Sequence, residues 1–433
     1  MIRVFTNFFT KIQGDREKQT VFINFISLSL LQGANYIFPL ITFPYLVRVL
    51  GVEKWGLLTF ASATVTYCQV IIDYGFNLSA TREISIHRNN KEILQEIFNT
   101  VMVIKTGLAI ISFFLLNMLV LNVEKFKQDL ILYYLTFGTM LAQTIFPAWF
   151  FQGMEQMKYI TFLNIAGRGL STVAIFIFIK HKSDYIFVPF INFCALILIL
   201  IISLFIVSKN FGIRIKKTRL ENIKYQLKEG WHIFTSMVAI SLYTTSTPFI
   251  LGLLTNNTMV GYYSAADKII QAIKGIIGAF SQSLYPYIVN KVHSIREKSL
   301  GIIRKITKFV ALSTGILSCC IFLLAIPIVN IVLGKAYSNS IVVLKILSIH
   351  PFLIGLSNVF GIQTMLSFNR KKAFQNIVLS AGILNILIAL ILVPLYQYIG
   401  SAISITITEM FVTLSTLIYL QKTGIRIIGV KSV

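Results

Sequence analysis

The sequence predicts an all-α integral membrane protein of about twelve transmembrane helices arranged as two six-helix halves. Three observations lead there. Of 433 residues, 56% are hydrophobic and 13% charged, with a mean hydropathy of +0.77, and a water-soluble domain cannot hide that much apolar surface in its own core. Apolar runs of about 20 residues or more, the length a helix needs to cross a hydrocarbon core, follow one another along the chain. A polar stripe at helical spacing also occurs twice, 205 residues apart: Thr59, Ser62, Thr66, Gln69 and Asp73, then Ser264, Asp267, Gln271, Lys274 and Gly278.

The first span, 21–47, follows a polar segment and shows no small-residue cleavage site near its end, so it reads as a retained span and not a signal peptide. It carries Pro39 and Pro44, where a kink is expected. Span 55–78 bears the first stripe, 100–121 carries Lys105, 130–151 ends beyond Pro147, 159–180 holds Arg168, and 185–207 closes a first half, 1–208. A basic connection, 209–229, with Arg214, Lys216, Lys217 and Arg219, leads into a second half, 230–433. Its spans are 230–254, 262–289, 306–333, 341–367, 373–394 and 398–420. Pro248 repeats Pro44, and Val260-Gly261-Tyr262-Tyr263-Ser264 repeats Trp55-Gly56-Leu57-Leu58-Thr59. With six spans in each half, the two are parallel repeats about an axis along the membrane normal. All nine prolines fall in spans or at their ends, either bending helices around a cavity or reflecting the tolerance of membrane helices for proline.

Lys and Arg collect on the cytoplasmic side of a membrane protein. Here they crowd the two termini and the even-to-odd connections, above all 209–229, while the opposite loops hold only Arg48, Lys54, Lys125, Lys127, Lys180, Lys182 and Lys335. Both termini are therefore expected in the cytoplasm. The net charge of +23 is spread over several loops, which fits anionic lipid headgroups and not nucleic acid. Cys68, Cys194, Cys319 and Cys320 fall within spans at no pairing or metal-ligand spacing and read as packing residues. The histidines are scattered, the outer loops are too short for a catalytic domain, and no nucleophile motif or phosphate-cradling loop is present. No enzyme and no cofactor is expected.

Charges inside spans are costly and turn toward a cavity or a partner. Lys274 lies deep in its span on the same face as Asp267 and Gln271; it either meets an anionic substrate or pairs internally with Asp267 or Glu409. Arg168 is as deep, and a guanidinium holds phosphate oxygens in bidentate fashion. Lys268 adds a further cation to this set. Lys105 and Lys345 lie nearer span ends, where snorkelling is the simpler expectation. Arg48 is either an ordinary flanking charge or a gate. Among the acids, Asp267, Glu409 and Asp73 are candidates for exchanging a proton or holding a sodium ion; Asp73 alternatively holds the loop before Arg82 and Glu83.

Asp73-Tyr74-Gly75-Phe76-Asn77-Leu78-Ser79-Ala80-Thr81-Arg82-Glu83-Ile84-Ser85 resembles the hallmark stretch of Wzx-type O-antigen and capsule flippases. Pro44-Tyr45-Leu46-Val47-Arg48-Val49-Leu50-Gly51, Trp149-Phe150-Phe151-Gln152-Gly153 through Lys158-Tyr159-Ile160, and Val260-Gly261-Tyr262-Tyr263-Ser264-Ala265-Ala266-Asp267-Lys268 agree with it. The resemblance covers nearly the whole chain and weakens after about residue 300. It implies a V-shaped, two-lobed transporter of the multidrug/oligosaccharidyl-lipid/polysaccharide exporter superfamily, MATE-like in fold. The implied activity is alternating-access transfer of an undecaprenyl-pyrophosphate-linked oligosaccharide between leaflets. The implied partners are that lipid-linked substrate, membrane lipids, a polysaccharide polymerase and a chain-length regulator. Lipid II flippases carry two extra helices that this chain lacks. A cation-coupled drug exporter of the same architecture is the alternative, and would favour acidic over cationic cavity residues.

Overall fold

The computed structural model describes residues 16–214, 216–294, 296–425 and 427. Among these the chain is helical throughout, with no strand. In chain order the helices are α1 (Arg16–Asp73), α2 (Phe76–His87), α3 (Lys91–Asn122), α4 (Glu124–Lys127), α5 (Leu130–Ile145), α6 (Ala148–Gly153), α7 (Met157–Phe178), α8 (Phe187–Phe211), α9 (Leu220–Thr244) and α10 (Ser246–Leu254). They continue as α11 (Asn257–Ser294), α12 (Arg296–Leu323), α13 (Ala325–Val332), α14 (Ser340–Leu347), α15 (His350–Ser357), a π-helix (Asn358–Leu366) and α16 (Lys371–Lys422).

Among the described residues, 8 helical stretches are long and apolar enough to cross a membrane. Two of them are double-length. Helix α1 is interrupted at Gly51 (φ 74), a left-handed conformation open to glycine because it has no Cβ. Helix α16 is interrupted at Gln397 (φ 49). The breaks fall between the expected first and second spans and near the start of the twelfth. Pro39 and Pro44, where a kink is expected, lie in helical backbone, and within α1 Gly51 is the residue that departs from it.

By contacts the chain forms two compact units, one of Met1–Phe43 with Thr64–Val238 and the other of Pro44–Ala63 with Ala239–Val433. The core of the first is aromatic. Trp149, Phe150 and Phe151 on α6 have no exposed surface. Phe98 lies 5.6 Å from Trp149 and 5.4 Å from Phe150, with Phe211 5.2 Å from Phe150 on another side. Edge and tilted ring contacts of this kind add to area burial. Tyr74 (φ 47) and Gly75 (φ 82) interrupt the helix between α1 and α2. Tyr74 is held there by its ring, stacked 4.6 Å from Phe234. The basic connection is tied to the same unit: Tyr225 and Gln226 donate to the Glu83 carboxylate at 3.1 and 3.0 Å, and Thr218 meets Thr100 at 2.8 Å. That hydrogen bond, first, raises the pKa of Tyr225.

In the second unit the segment 44–63 packs on the helices after residue 239. Tyr337 donates to the Val47 carbonyl at 3.0 Å and Ser340 to that of Tyr262 at 2.8 Å. Gly56 and Gly261, equivalent residues of the repeat, face each other. A Cβ on Gly56 would overlap the Asn257 carbonyl oxygen and lie 2.6 Å from the Gly261 nitrogen, and one on Gly261 would overlap the Val52 carbonyl oxygen. Small residues allow such backbone contact between membrane helices. Deeper in the unit, Asn385, with no exposed surface, donates to Ser246 and Thr247 at 3.1 Å each and accepts from Ser404 at 2.9 Å and Thr408 at 3.3 Å.

Candidate functional site

A cavity of about 260 Å³ lies within the first unit, lined by α1, α2, α5, α6 and α7. Its charged lining residues are Arg168 and Asp73. Around them stand five carboxamides: Asn35 and Gln69 from α1, Asn77 from α2, Gln143 from α5 and Asn164 from α7. The helical period places Gln69 and Asp73, four apart on α1, on one side of the wall, and Asn77 joins them from the start of α2.

The two charges are treated differently. Both oxygens of Asp73 are occupied: Oδ1 accepts from Lys105 Nζ at 3.1 Å and Oδ2 from Asn77 at 2.7 Å. Lys105 also donates to the Thr144 carbonyl at 2.9 Å. Arg168 has no hydrogen bond or ion pair to any described residue. Asn35, Gln69 and Gln143 likewise keep their amides open to the cavity. The site thus presents one guanidinium and several uncharged donor and acceptor groups to whatever enters.

Snorkelling, expected for Lys105, does not occur. Its side chain has no exposed surface, because a carboxylate and a carbonyl inside the unit satisfy the ammonium. Lys345 is half-buried, its ammonium 5.7 Å from the Phe322 ring centre. Of the cysteines only Cys68 is buried; Cys194, Cys319 and Cys320 are exposed, so three of the four are not core packing residues.

The remaining sequence-predicted residues lie in the second unit. Lys274 Nζ stands 4.0 Å from Glu409 Oε1, with a quarter of the lysine side chain exposed and 8% of the glutamate's. Asp267 does not pair with Lys274 but accepts from Gln271 at 2.6 Å, one helical turn on. Lys268, the next residue along the same helix, is exposed. Other members of the α11 stripe serve the fold: Ser264 is buried, and Ser281 accepts at 2.9 Å from Gln363 of the π-helix. Arg48 donates to the Ile331 carbonyl and so bridges two segments of its unit. A second cavity, of about 300 Å³, is lined almost wholly by apolar groups of α11, α12, α15 and the π-helix. It contains none of the predicted charges.

Sequence reasoning missed Asn35, Gln143 and Asn164, lone amides in apolar runs, and the Asn385 network. It also passed over His350, which is buried, bonds Thr406 at 2.9 Å through Nε2 and leaves Nδ1 without a partner among the described residues. The available signal was a lone polar residue within a span, which by itself does not separate packing from function.

The family model described as polysaccharide biosynthesis protein matches residues 21–292. A protein of Escherichia coli (strain K12) named "Putative O-antigen transporter" is 37% identical over 398 residues, 92% of this chain and 96% of that one. A protein of the same name from Shigella dysenteriae is 29% identical over 402 residues, 90% and 98% of the two chains. Among solved structures, the lipid II flippase MurJ in an inward closed conformation matches with a TM-score of 0.67 at 14% identity, covering 92% of this chain and 87% of that one. An inward-facing multidrug resistance MATE family transporter of the MOP superfamily also matches at 0.67 and 14%, covering 93% and 98%. Those two structures establish the fold alone, and it is the one the Wzx-like motifs implied. With the family model matching over half its length and a close relative spanning nearly all of it, the chain belongs to the polysaccharide biosynthesis protein family, among the Wzx-type flippases that its motifs resemble.

Proposed function

We propose that this chain transfers an undecaprenyl-pyrophosphate-linked oligosaccharide repeat unit, of O-antigen or capsule, from the cytoplasmic to the periplasmic leaflet of the inner membrane. The observation that carries the proposal is Arg168: a guanidinium with no hydrogen bond or ion pair among the described residues, facing a cavity whose other open groups are carboxamides. A pyrophosphate suits the first and sugar hydroxyls suit the second, by charge-assisted and neutral hydrogen bonds respectively. A cationic drug would find no free carboxylate there, since Asp73 is already bonded on both oxygens. The names of the relatives point the same way.

On this reading the two six-helix repeats, 1–208 and 230–433, joined by 209–229, alternate access by rocking, and both termini lie in the cytoplasm. Within the second unit, Lys274 and Lys268 offer further cations to the substrate, with Gln271 beside them, while Arg48 acts as a gate. The close approach of Lys274 to the buried Glu409 makes that carboxylate the best candidate for coupling to protons or sodium; its charge would set whether Lys274 is held or released. Asp267 and Asp73 are the lesser candidates. A polysaccharide polymerase and a chain-length regulator are the partners that would receive the product.

The test is complementation. Expressed in a bacterium lacking its own O-antigen or capsule flippase and matched for repeat unit, the chain restores surface polymer and clears lipid-linked intermediates. Intermediates that remain trapped despite confirmed membrane insertion defeat the proposal in favour of a drug exporter of the same fold.

A further inference from the structure

Asp73 and Arg168 line the same small cavity, yet they do not form an ion pair with each other. Opposite charges across a confined space of low dielectric attract strongly, and arginine with carboxylate makes a bidentate pair whenever geometry allows. Asp73 is instead engaged from behind the wall. Lys105, fully buried and outside the cavity lining, holds Asp73 Oδ1 at 3.1 Å and is itself anchored on the Thr144 carbonyl at 2.9 Å. Asn77 holds the other oxygen at 2.7 Å.

We propose that Lys105 is a positioning residue for substrate binding: by neutralising Asp73 from outside the cavity it keeps Arg168 available to the anionic headgroup. The inference rests on the reading of Arg168 given under Proposed function. Without the ammonium, the Asp73 carboxylate carries its full charge toward the cavity and captures the guanidinium, and an incoming pyrophosphate must compete for it. Without the carboxylate, the cavity loses its one negative group and an anion binds more readily. The two single substitutions therefore act in opposite directions, whereas a pair that serves only to join α1 to α3 loses function when either partner is removed.

The experiment measures binding of farnesyl pyrophosphate, as a soluble probe of the polyprenyl pyrophosphate headgroup, to the purified full-length protein in detergent by calorimetry. Arg168→Ala is expected to weaken binding roughly 10- to 100-fold, the range for one hydrogen bond to a charged group. Lys105→Met weakens it by a similar factor, Asp73→Asn tightens it, and the double variant returns close to the wild-type affinity. Unchanged affinity in Lys105→Met, or weakening in Asp73→Asn as large as in Lys105→Met, overturns the role of Lys105 and leaves the Arg168 reading standing. Unchanged affinity in Arg168→Ala, or no binding to the wild type, overturns both. Should Lys105→Met fail to yield a monodisperse protein, the double variant decides: a folded double variant that binds as weakly as Arg168→Ala contradicts the proposal.

Discussion

Asn385 has no exposed surface, and its carboxamide is shared among four hydroxyls on two other helical segments. A hydrocarbon core offers no water to replace those bonds, so the side chain fixes its neighbours. Asn385→Leu, similar in volume but apolar, is expected to cost about 2–4 kcal/mol because several buried hydroxyls lose a partner at once. A thermal midpoint in detergent equal to that of the wild type would refute it. Arg168 is the reverse case, polar and unpartnered. Arg168→Lys keeps the charge but not the planar fork, and is expected to retain part of the surface polymer that Arg168→Ala loses; equal loss in both would show that geometry and not charge is what matters. Lys105 marks the limit of reading at this scale. Its position near a span end favoured snorkelling, and nothing in the sequence told that Asp73, 32 residues earlier, closes over it.

The elements were legible because membrane composition is such a strong constraint: the expected spans lie largely on helix, though 55–78, 130–151, 230–254, 306–333 and 341–367 are each interrupted by a turn. Their interruptions were less so. Proline drew attention to residues 39 and 44, but proline in the middle of a membrane helix is tolerated when neighbours satisfy the freed carbonyl, and the actual break is the left-handed backbone at Gly51. The short helix α6 shows a motif whose role is packing. Trp149 is wholly enclosed, and Trp149→Ala is expected to lower stability by about 3–5 kcal/mol through the void it leaves, read as a fall in the thermal midpoint with little change in probe affinity once folded; an unaltered midpoint would contradict this. At the helix crossing of the second unit, Gly56→Val or Gly261→Val forces two backbones apart. The clash is with carbonyl oxygen and not with a movable side chain, so the cost is expected at the upper end for overpacking, about 3 kcal/mol. The check is the yield of monodisperse protein from membranes, which should fall sharply for valine and less for alanine.

For the whole molecule, the distribution of Lys and Arg makes a prediction independent of any site. Alkaline phosphatase fused after Val433 is expected to be inactive and green fluorescent protein there fluorescent, whereas phosphatase fused after Lys335, in a loop on the opposite face, is expected to be active. The reverse pattern would invert the chain and with it the direction proposed for transport. The fold class was readable from composition, whereas depth within a span marked Arg168 as a candidate without placing it at a cavity. The carboxamide ring was not, because Asn35, Gln69, Asn77, Gln143 and Asn164 come from four helices whose facing directions only the packed unit defines.

The contact between Gly56 and Gly261 has a bearing on how such a chain changes over time. Ordinarily the copies in a duplicated sequence drift apart, each accepting replacements on its own. Here one copy's glycine is the other copy's neighbour, so a larger residue arriving in either is opposed by both. A valine at either position is thus expected to find no rescue in its own half, since the carbonyl oxygen it meets, that of Asn257 or of Val52, belongs to the other.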